Sequence, residues 1–245
     1  MRIDGRNQDE LRKLKITRGF TKYSKGSVLI EMGDTKVICT ATVEEKVPSF
    51  LKGTGKGWIT AEYAMLPGST QTRKNRDISR LILDGRSTEI QRLIGRSLRS
   101  VMNLEVLGER TIWIDCDVIQ ADGGTRCASI TGAFVALVDA VNAIHEETPF
   151  ETYPINGMVS AISVGISEKG PILDLNYAED STALVDMNVI MNQKGEFIEL
   201  QGTGEERPFT AKEMTDLLAL ATKGNDDLLL QVKEIMGEEL GRILE

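Results

Sequence analysis

Two hydrophobic periods alternate along the chain. Residues 27–32 and 35–43 carry apolar side chains at every second position, with Val37, Cys39, Ala41 and Val43 on one face, so both stretches read as strands. Gly33 and Asp34 between them supply the turn of a hairpin. From Ser87 to about Glu105 the spacing becomes helical: Ile90, Leu93, Ile94, Leu98, Val101 and Met102 fall on one side, with Ser87 as candidate cap. Residues 111–119 return to a strand, a turn follows at Ala121, Asp122, Gly123 and Gly124, and a helix begins whose Ile130, Ala133, Phe134, Leu137, Val138 and Val141 form one stripe. The second half repeats the order, with strands near 158–166, 172–175, 183–191 and 197–200, then helices from about 210 to 222 and 226 to 244. Between 47 and 80 a Gly-, Lys-, Arg- and Ser-rich segment surrounds one short apolar piece beginning at Trp58, and its later part reads as a loop. No linker separates the halves. The pattern predicts a single α+β domain over residues 1–245.

Composition narrows the class. A chain of 245 residues that is 41% hydrophobic can bury a sizeable core. No apolar stretch approaches the roughly 18 residues of a membrane span, and the charged start has no apolar run of a leader. The expectation is a cytoplasmic protein with no membrane partner. Cys39, Cys116 and Cys127 lack the spacing of a zinc site or a disulfide framework and read as reduced and structural. The lone histidine, His145, sits where a helix ends, a place the helix dipole favours for a cation. A mechanism built on a histidine base is therefore weak. Net charge is −8, yet the window 73–99 is +5, leaving −13 for the rest. Within that window Arg92, Arg96 and Arg99 share a helix face. A solvated basic face accounts for this, and so does a grip on nucleic acid, which the basic loop just before it favours.

Three features carry candidate chemistry. Asp122, Gly123, Gly124, Thr125 and Arg126 lie where a strand hands over to a helix, and glycines there let the backbone approach an anion closely. Amides, a hydroxyl and a guanidinium fork together suit a phosphate-sized ligand, although the spacing is not that of a P-loop. Arg86, at the start of the other amphipathic helix, joins this site if the two helix starts converge. The third feature is acidic: Asp174, Glu179, Asp180 and Asp186, the last interrupting an apolar strand. A half-solvated strand face explains that spacing; a carboxylate pair able to hold Mg²⁺ and move a proton explains it too.

These residues carry a resemblance that spans nearly the whole chain. Arg2 to Arg6, Lys56 to Tyr63, Gly85 and Arg86 followed by Glu89 to Arg96, the string from Asp115 to Arg126, Glu179 and Asp180 with Asp186 to Asn188, and Glu199 to Thr203 together resemble the ribonuclease PH family. The resemblance implies the βαβα sandwich of that family and a homohexameric ring built as a trimer of dimers. It implies that Arg86, Gly124, Thr125 and Arg126 bind an attacking inorganic phosphate, the co-substrate. By the same resemblance Asp180 and Asp186 serve the acid or metal role, with Mg²⁺ the expected metal. The implied reaction is reversible phosphorolysis of RNA 3′ ends, above all those of tRNA precursors, releasing nucleoside diphosphates. Arg73 and Arg76, in the loop after Met65, Leu66 and Pro67, match family residues that grip tRNA, and Arg92 and Arg99 extend that RNA-binding set. Position 68 departs from the pattern, being Gly where the family usually has arginine. Lys74 or Arg80 is expected to compensate in part.

Two rivals stay open. Hydrolysis by two metal ions would use more clustered carboxylates and no arginine pocket for phosphate. A non-catalytic RNA-binding subunit of an exosome-like ring would not need Arg86, Arg126, Asp180 and Asp186 together.

Overall fold

The computed structural model describes residues 2–76 and 84–240, without the side chains of 238 and 239. Strands β1 (Leu14–Arg18), β2 (Gly26–Met32) and β3 (Thr35–Glu44) form an antiparallel meander. Strand β5 (Thr111–Gln120) pairs antiparallel with β3 and parallel with β4 (Trp58–Met65), giving the order β1-β2-β3-β5-β4. A second, antiparallel sheet has the order β7-β6-β8-β9, from β6 (Val159–Ser167), β7 (Gly170–Leu173), β8 (Val185–Asn192) and β9 (Phe197–Thr203). The helices are α1 (Gly85–Arg99), α2 (Leu104–Leu107), α3 (Thr125–Glu147), α4 (Tyr177–Asp180) and α5 (Ala211–Met236).

Burial along the strands explains the layering. On β3, Val37, Cys39 and Ala41 are buried while Ile38 and Thr40 are not, so the first sheet has one core face, and α3 lies on it against β2 and β3 with α1 beside it on β4. Strand β6 is buried on both faces, because α3 covers one and α5 the other. Ser160 Oγ donates to Asn225 Oδ1 of α5 at 2.7 Å, while the next amide, Ala161 N, donates to Thr131 Oγ1 of α3 at 3.3 Å. The layers are thus sheet, helices, sheet, helix. One continuous apolar cluster includes Val37 of the first sheet, Phe134 of α3, Ile162 of the second sheet and Leu228 of α5.

The structure corrects several expectations. Helix α3 has no single stripe: every residue from Cys127 to Val138 is buried, because sheets lie on both sides of it. By length and composition α3 could cross a membrane, contrary to the expectation that no stretch approaches that length, but it is mostly buried inside the protein. Helix α1 is capped by Asp84, not Ser87; Asp84 Oδ2 accepts from Ser87 N at 3.3 Å and from Ser87 Oγ at 2.9 Å. The helix ends at Arg99, and Met102 forms a bridge with Ile155 instead of continuing it. The two terminal helices are one, α5, running through Gly224. A glycine there costs helix propensity of about 1 kcal/mol, but a Cβ would meet Leu173 Cδ1 at 2.5 Å, so close packing on β7 selects it. Strands β1 and β4 were not foreseen as strands.

Candidate active site

The glycine turn is fixed from below. Gly123 and Gly124 have φ of +74° and +62°, which side-chain-bearing residues rarely adopt. A Cβ on Gly123 would lie 2.5 Å from Leu175 O and 2.9 Å from Tyr177 N, so the turn rests directly on the chain that enters α4. Asp122 Oδ1 accepts from Tyr177 N at 3.2 Å across the same contact. Beneath the turn, buried Arg12 donates from Nη1 to Asp122 O at 2.5 Å and grips Asp174 through Nε (3.0 Å) and Nη2 (2.7 Å). Thr35 Oγ1 donates to Gly123 O at 2.6 Å. Asp174 is itself buried, with φ +52°, and its carbonyl accepts from Arg2 Nη2 and Arg6 Nη1, both at 3.0 Å. Arg2 also pairs with Glu179, Nε to Oε1 at 2.7 Å, next to Asp180. Three arginines from the first twelve residues therefore register the turn of the first sheet against the acidic segment of the second.

The start of α3 faces the other helix. Thr125 Oγ1 and Tyr63 Oη lie 2.8 Å apart, both buried, and Ser129 Oγ donates to Thr125 O. Arg126 Nη1 donates to Gln201 Oε1 of β9 at 2.6 Å and approaches Glu89 Oε2 of α1 at 3.7 Å. Arg86, the second residue of α1, is exposed, with Nη1 3.9 Å from Met65 Sδ. Cys127 Sγ donates to Asn188 Oδ1 at 3.2 Å, which seats the first turn of α3 on the β8 face that also carries Asp186.

The two carboxylates sit in this angle. Burial, and then the charge of Asp180, raise the pKa of Asp186 to about 6, against the pull of Arg126. Burial raises that of Asp180 as well, while the charges of Arg126 and Arg86 draw it down. Four side chains predicted from separate stretches thus act on one another electrostatically. Asp186 Oδ1 is buried with no hydrogen-bond partner among the described residues, a free acceptor beside a second carboxylate. That donor set fits a divalent cation of the Mg²⁺ type, which commonly takes one or two carboxylates and completes its shell with water and substrate phosphate oxygens. No group of three or more His, Cys, Asp or Glu side chains placed to hold a metal ion occurs among the described residues.

Profiles of the 3′ exoribonuclease family match residues 10–142 as its domain 1 and residues 157–224 as its domain 2. The chain belongs to the 3′ exoribonuclease, or ribonuclease PH, family. The solved structures agree on the fold. Rice (Oryza sativa) Rrp46 superposes with a TM-score of 0.78 at 19% identity, covering 96% of this chain and 100% of that one. An Archaeoglobus fulgidus exosome chain, from a structure with RNA bound to the active site, gives 0.81 at 21% identity, covering 95% and 92%. An archaeal exosome core gives 0.77 at 21% identity, covering 95% and 91%. The sandwich described above is the ribonuclease PH fold.

Within that family frame the expected RNA-gripping residues divide. Arg73, Arg76 and Arg92 are exposed. Arg99 is not available in the same way: it donates to Ile59 O at 2.7 Å and lies 4.4 Å over the Trp58 ring, and burial lowers its pKa. Arg96 is held bidentate by Glu199, at 2.9 and 2.8 Å. Lys74 is tied to Asp84 Oδ2 at 3.1 Å, supporting the α1 cap, so its expected compensation for Gly68 meets a competing partner. Arg80 lies outside the described residues. His145 Nδ1 accepts from Phe150 N at 3.1 Å and its ring stacks on Phe150, a structural role, and all three cysteines are buried and free. The sequence reading assigned no role to Arg12, Tyr63, Glu89 or Gln201, because their partners lie far away in the chain.

Proposed function

We propose that the protein is a phosphorolytic 3′-to-5′ exoribonuclease that shortens RNA 3′ ends, those of tRNA precursors first, and releases nucleoside diphosphates. The observation that carries this is the meeting of Arg86 and Arg126, from two helix starts, with Asp180 and Asp186 in one electrostatic neighbourhood. Arg86, Arg126, the Thr125 hydroxyl and the amides after Gly124 hold inorganic phosphate, cancelling its repulsion from the anionic phosphodiester. A phosphate oxygen bonds to the terminal phosphorus, the bond from phosphorus to the 3′ oxygen of the penultimate ribose breaks, and that oxygen takes a proton. The pair Asp180 and Asp186 supplies the carboxyl that handles the proton, and in the metal-free protein the raised pKa of Asp186 suits that role. Mg²⁺ held by the same two carboxylates would neutralise charge on the phosphodiester oxygens.

A second reading is an RNA-binding subunit of an exosome-like ring without catalysis. Two of the three structures named above are exosomes, one of them with RNA bound to an active site, which supports membership of such a ring and leaves its catalysis to the experiment. They also favour a ring shared with other subunits over the homohexamer. Incubation with a 3′-extended tRNA and Mg²⁺, with and without phosphate, decides between the readings. Diphosphates formed only with phosphate support phosphorolysis, monophosphates mean hydrolysis, and no product from folded protein leaves the binding subunit. Native mass spectrometry settles the ring: six copies support the homohexamer, and a smaller species shows that other subunits are needed. Fractionation of cells tests the proposed cytoplasmic location.

A further inference from the structure

We propose that Gln201 is a positioning residue for Arg126, a neutral acceptor that aims the guanidinium at phosphate without cancelling its charge. The proposal rests on the phosphate-binding reading above. Arg126 Nη1 donates to Gln201 Oε1 at 2.6 Å. The amide end of the same side chain donates from Nε2 to Glu89 Oε1 at 2.6 Å and to Glu199 Oε1 at 3.1 Å. Ionised carboxylates only accept, so these two fix the carboxamide with its oxygen toward Arg126. Glu199 is held in turn by the Arg96 fork, and Gln201 stands opposite Asn188 in the β8–β9 ladder, the residue that accepts from Cys127 beside Arg126. Gln201 thus joins α1, β9 and the first turn of α3 at the arginine.

The chemical identity of the acceptor matters. A carboxylate in this place would pair with Arg126 and weaken its field on an incoming dianion. An apolar side chain would remove the partner and let Glu89, already 3.7 Å away, close on the guanidinium. A neutral amide avoids both outcomes.

The test uses the full chain and inorganic phosphate as the probe, read by calorimetry and by the KM for phosphate and for RNA separately. Gln201→Glu, nearly isosteric, sets a carboxylate against Glu89 and Glu199, so it is expected to lower the melting temperature and to weaken phosphate binding about tenfold, the scale of losing one charge-assisted contact, with KM for RNA little moved. Gln201→Met is expected to weaken phosphate binding by less, and it carries the test if Gln201→Glu does not fold. Phosphate binding within twofold of the wild type in both variants overturns the proposal, as does an equal loss for phosphate and RNA. Wild-type protein that binds phosphate but yields no nucleoside diphosphate sinks phosphorolysis while leaving this comparison decisive. Wild-type protein that binds no phosphate overturns both.

Discussion

The glycine turn with its acidic neighbours and the basic loop after Met65 are built on opposite principles. The turn is held by buried partners: Arg12, Thr35 and the chain entering α4 touch it, and Asp174, only 1% exposed, anchors Arg12 beneath it. The loop closes on itself through Ser69 N to Leu66 O and Lys74 N to Pro67 O, and leaves Arg73 and Arg76 in solvent. Preorganised dipoles and charges stabilise a developing charge at no reorganisation cost, whereas a surface that must follow a variable RNA backbone gains from adaptable side chains. Changes in the first region should therefore abolish turnover or folding, and changes in the second should only rescale RNA affinity.

The largest effect falls on the carboxylates. Asp180→Asn or Asp186→Asn is expected to cost a hundredfold or more in turnover, on the order of one lost acid–base group, with the fold retained. Stability separates Asp186 from an ordinary surface acid. Its folded pKa of about 6 stands above the unfolded value near 4, so the folded state binds the proton more tightly. The stabilisation this gives is full below about pH 4 and is lost as pH rises through about 6. Asp186→Asn should therefore raise the melting temperature relative to wild type at pH 7, and the gain should shrink toward pH 4. Added Mg²⁺ should raise the melting point of the wild type more than that of the variant. A variant that melts lower at pH 7 contradicts this account of the site.

Next in size is the brace itself. Arg12→Met leaves the Asp174 carboxylate buried without its fork, and breaking a buried pair from one side costs about 3–5 kcal/mol. Urea unfolding measures that loss, and a cost under about 1 kcal/mol would show that the first strap of the chain does not register the two sheets. Among the described residues the Tyr63 hydroxyl makes a single neutral contact, with Thr125, so Tyr63→Phe should cost only about 1 kcal/mol in the same measurement.

The difference between the regions also governs what the sequence discloses. The turn, Arg86, Arg126 and the acidic pair are visible because each is a local pattern: glycines before a helix, a cation at a helix start, a charge in an apolar strand. Their convergence is not visible, since it depends on Gly123 lying against Leu175 and on Cys127 meeting Asn188, pairs set by the packing of two sheets on one helix. Strand β4 was missed because its pairing with β5 is parallel and its partner lies about fifty residues on. The stripe expected on α3 was wrong for a related reason: periodicity reports a one-sided helix, and α3 is covered from both sides. Arg99 shows the limit of helical-face reasoning, because a position on the basic face does not reveal a tryptophan beneath it.

The loop should respond on a smaller scale. Arg73→Gln with Arg76→Gln is expected to weaken RNA binding several-fold and to flatten the dependence of log affinity on log salt by about 0.7 per lost contact, with KM for phosphate unchanged. A fall in phosphate affinity instead would mean that the loop belongs to the chemical site.

The smallest change is also the most diagnostic, because it adds rather than removes. Gly68 is exposed, its φ is not in the left-handed region, and a Cβ there would meet nothing within 4 Å, so its backbone and surroundings accept a side chain. Lys74 is engaged with the α1 cap and cannot serve RNA without giving up Asp84. Gly68→Arg should therefore strengthen RNA binding by about two- to fivefold at moderate salt and steepen the salt slope by about 0.7, the signature of one added phosphate contact. Stability should stay within about 0.5 kcal/mol, as for an exposed site away from special contacts. An unchanged salt slope would show that the RNA path does not pass position 68 in this chain. Its grip would then rest on Arg73, Arg76 and Arg92, and the departure at Gly68 would be neutral rather than a loss.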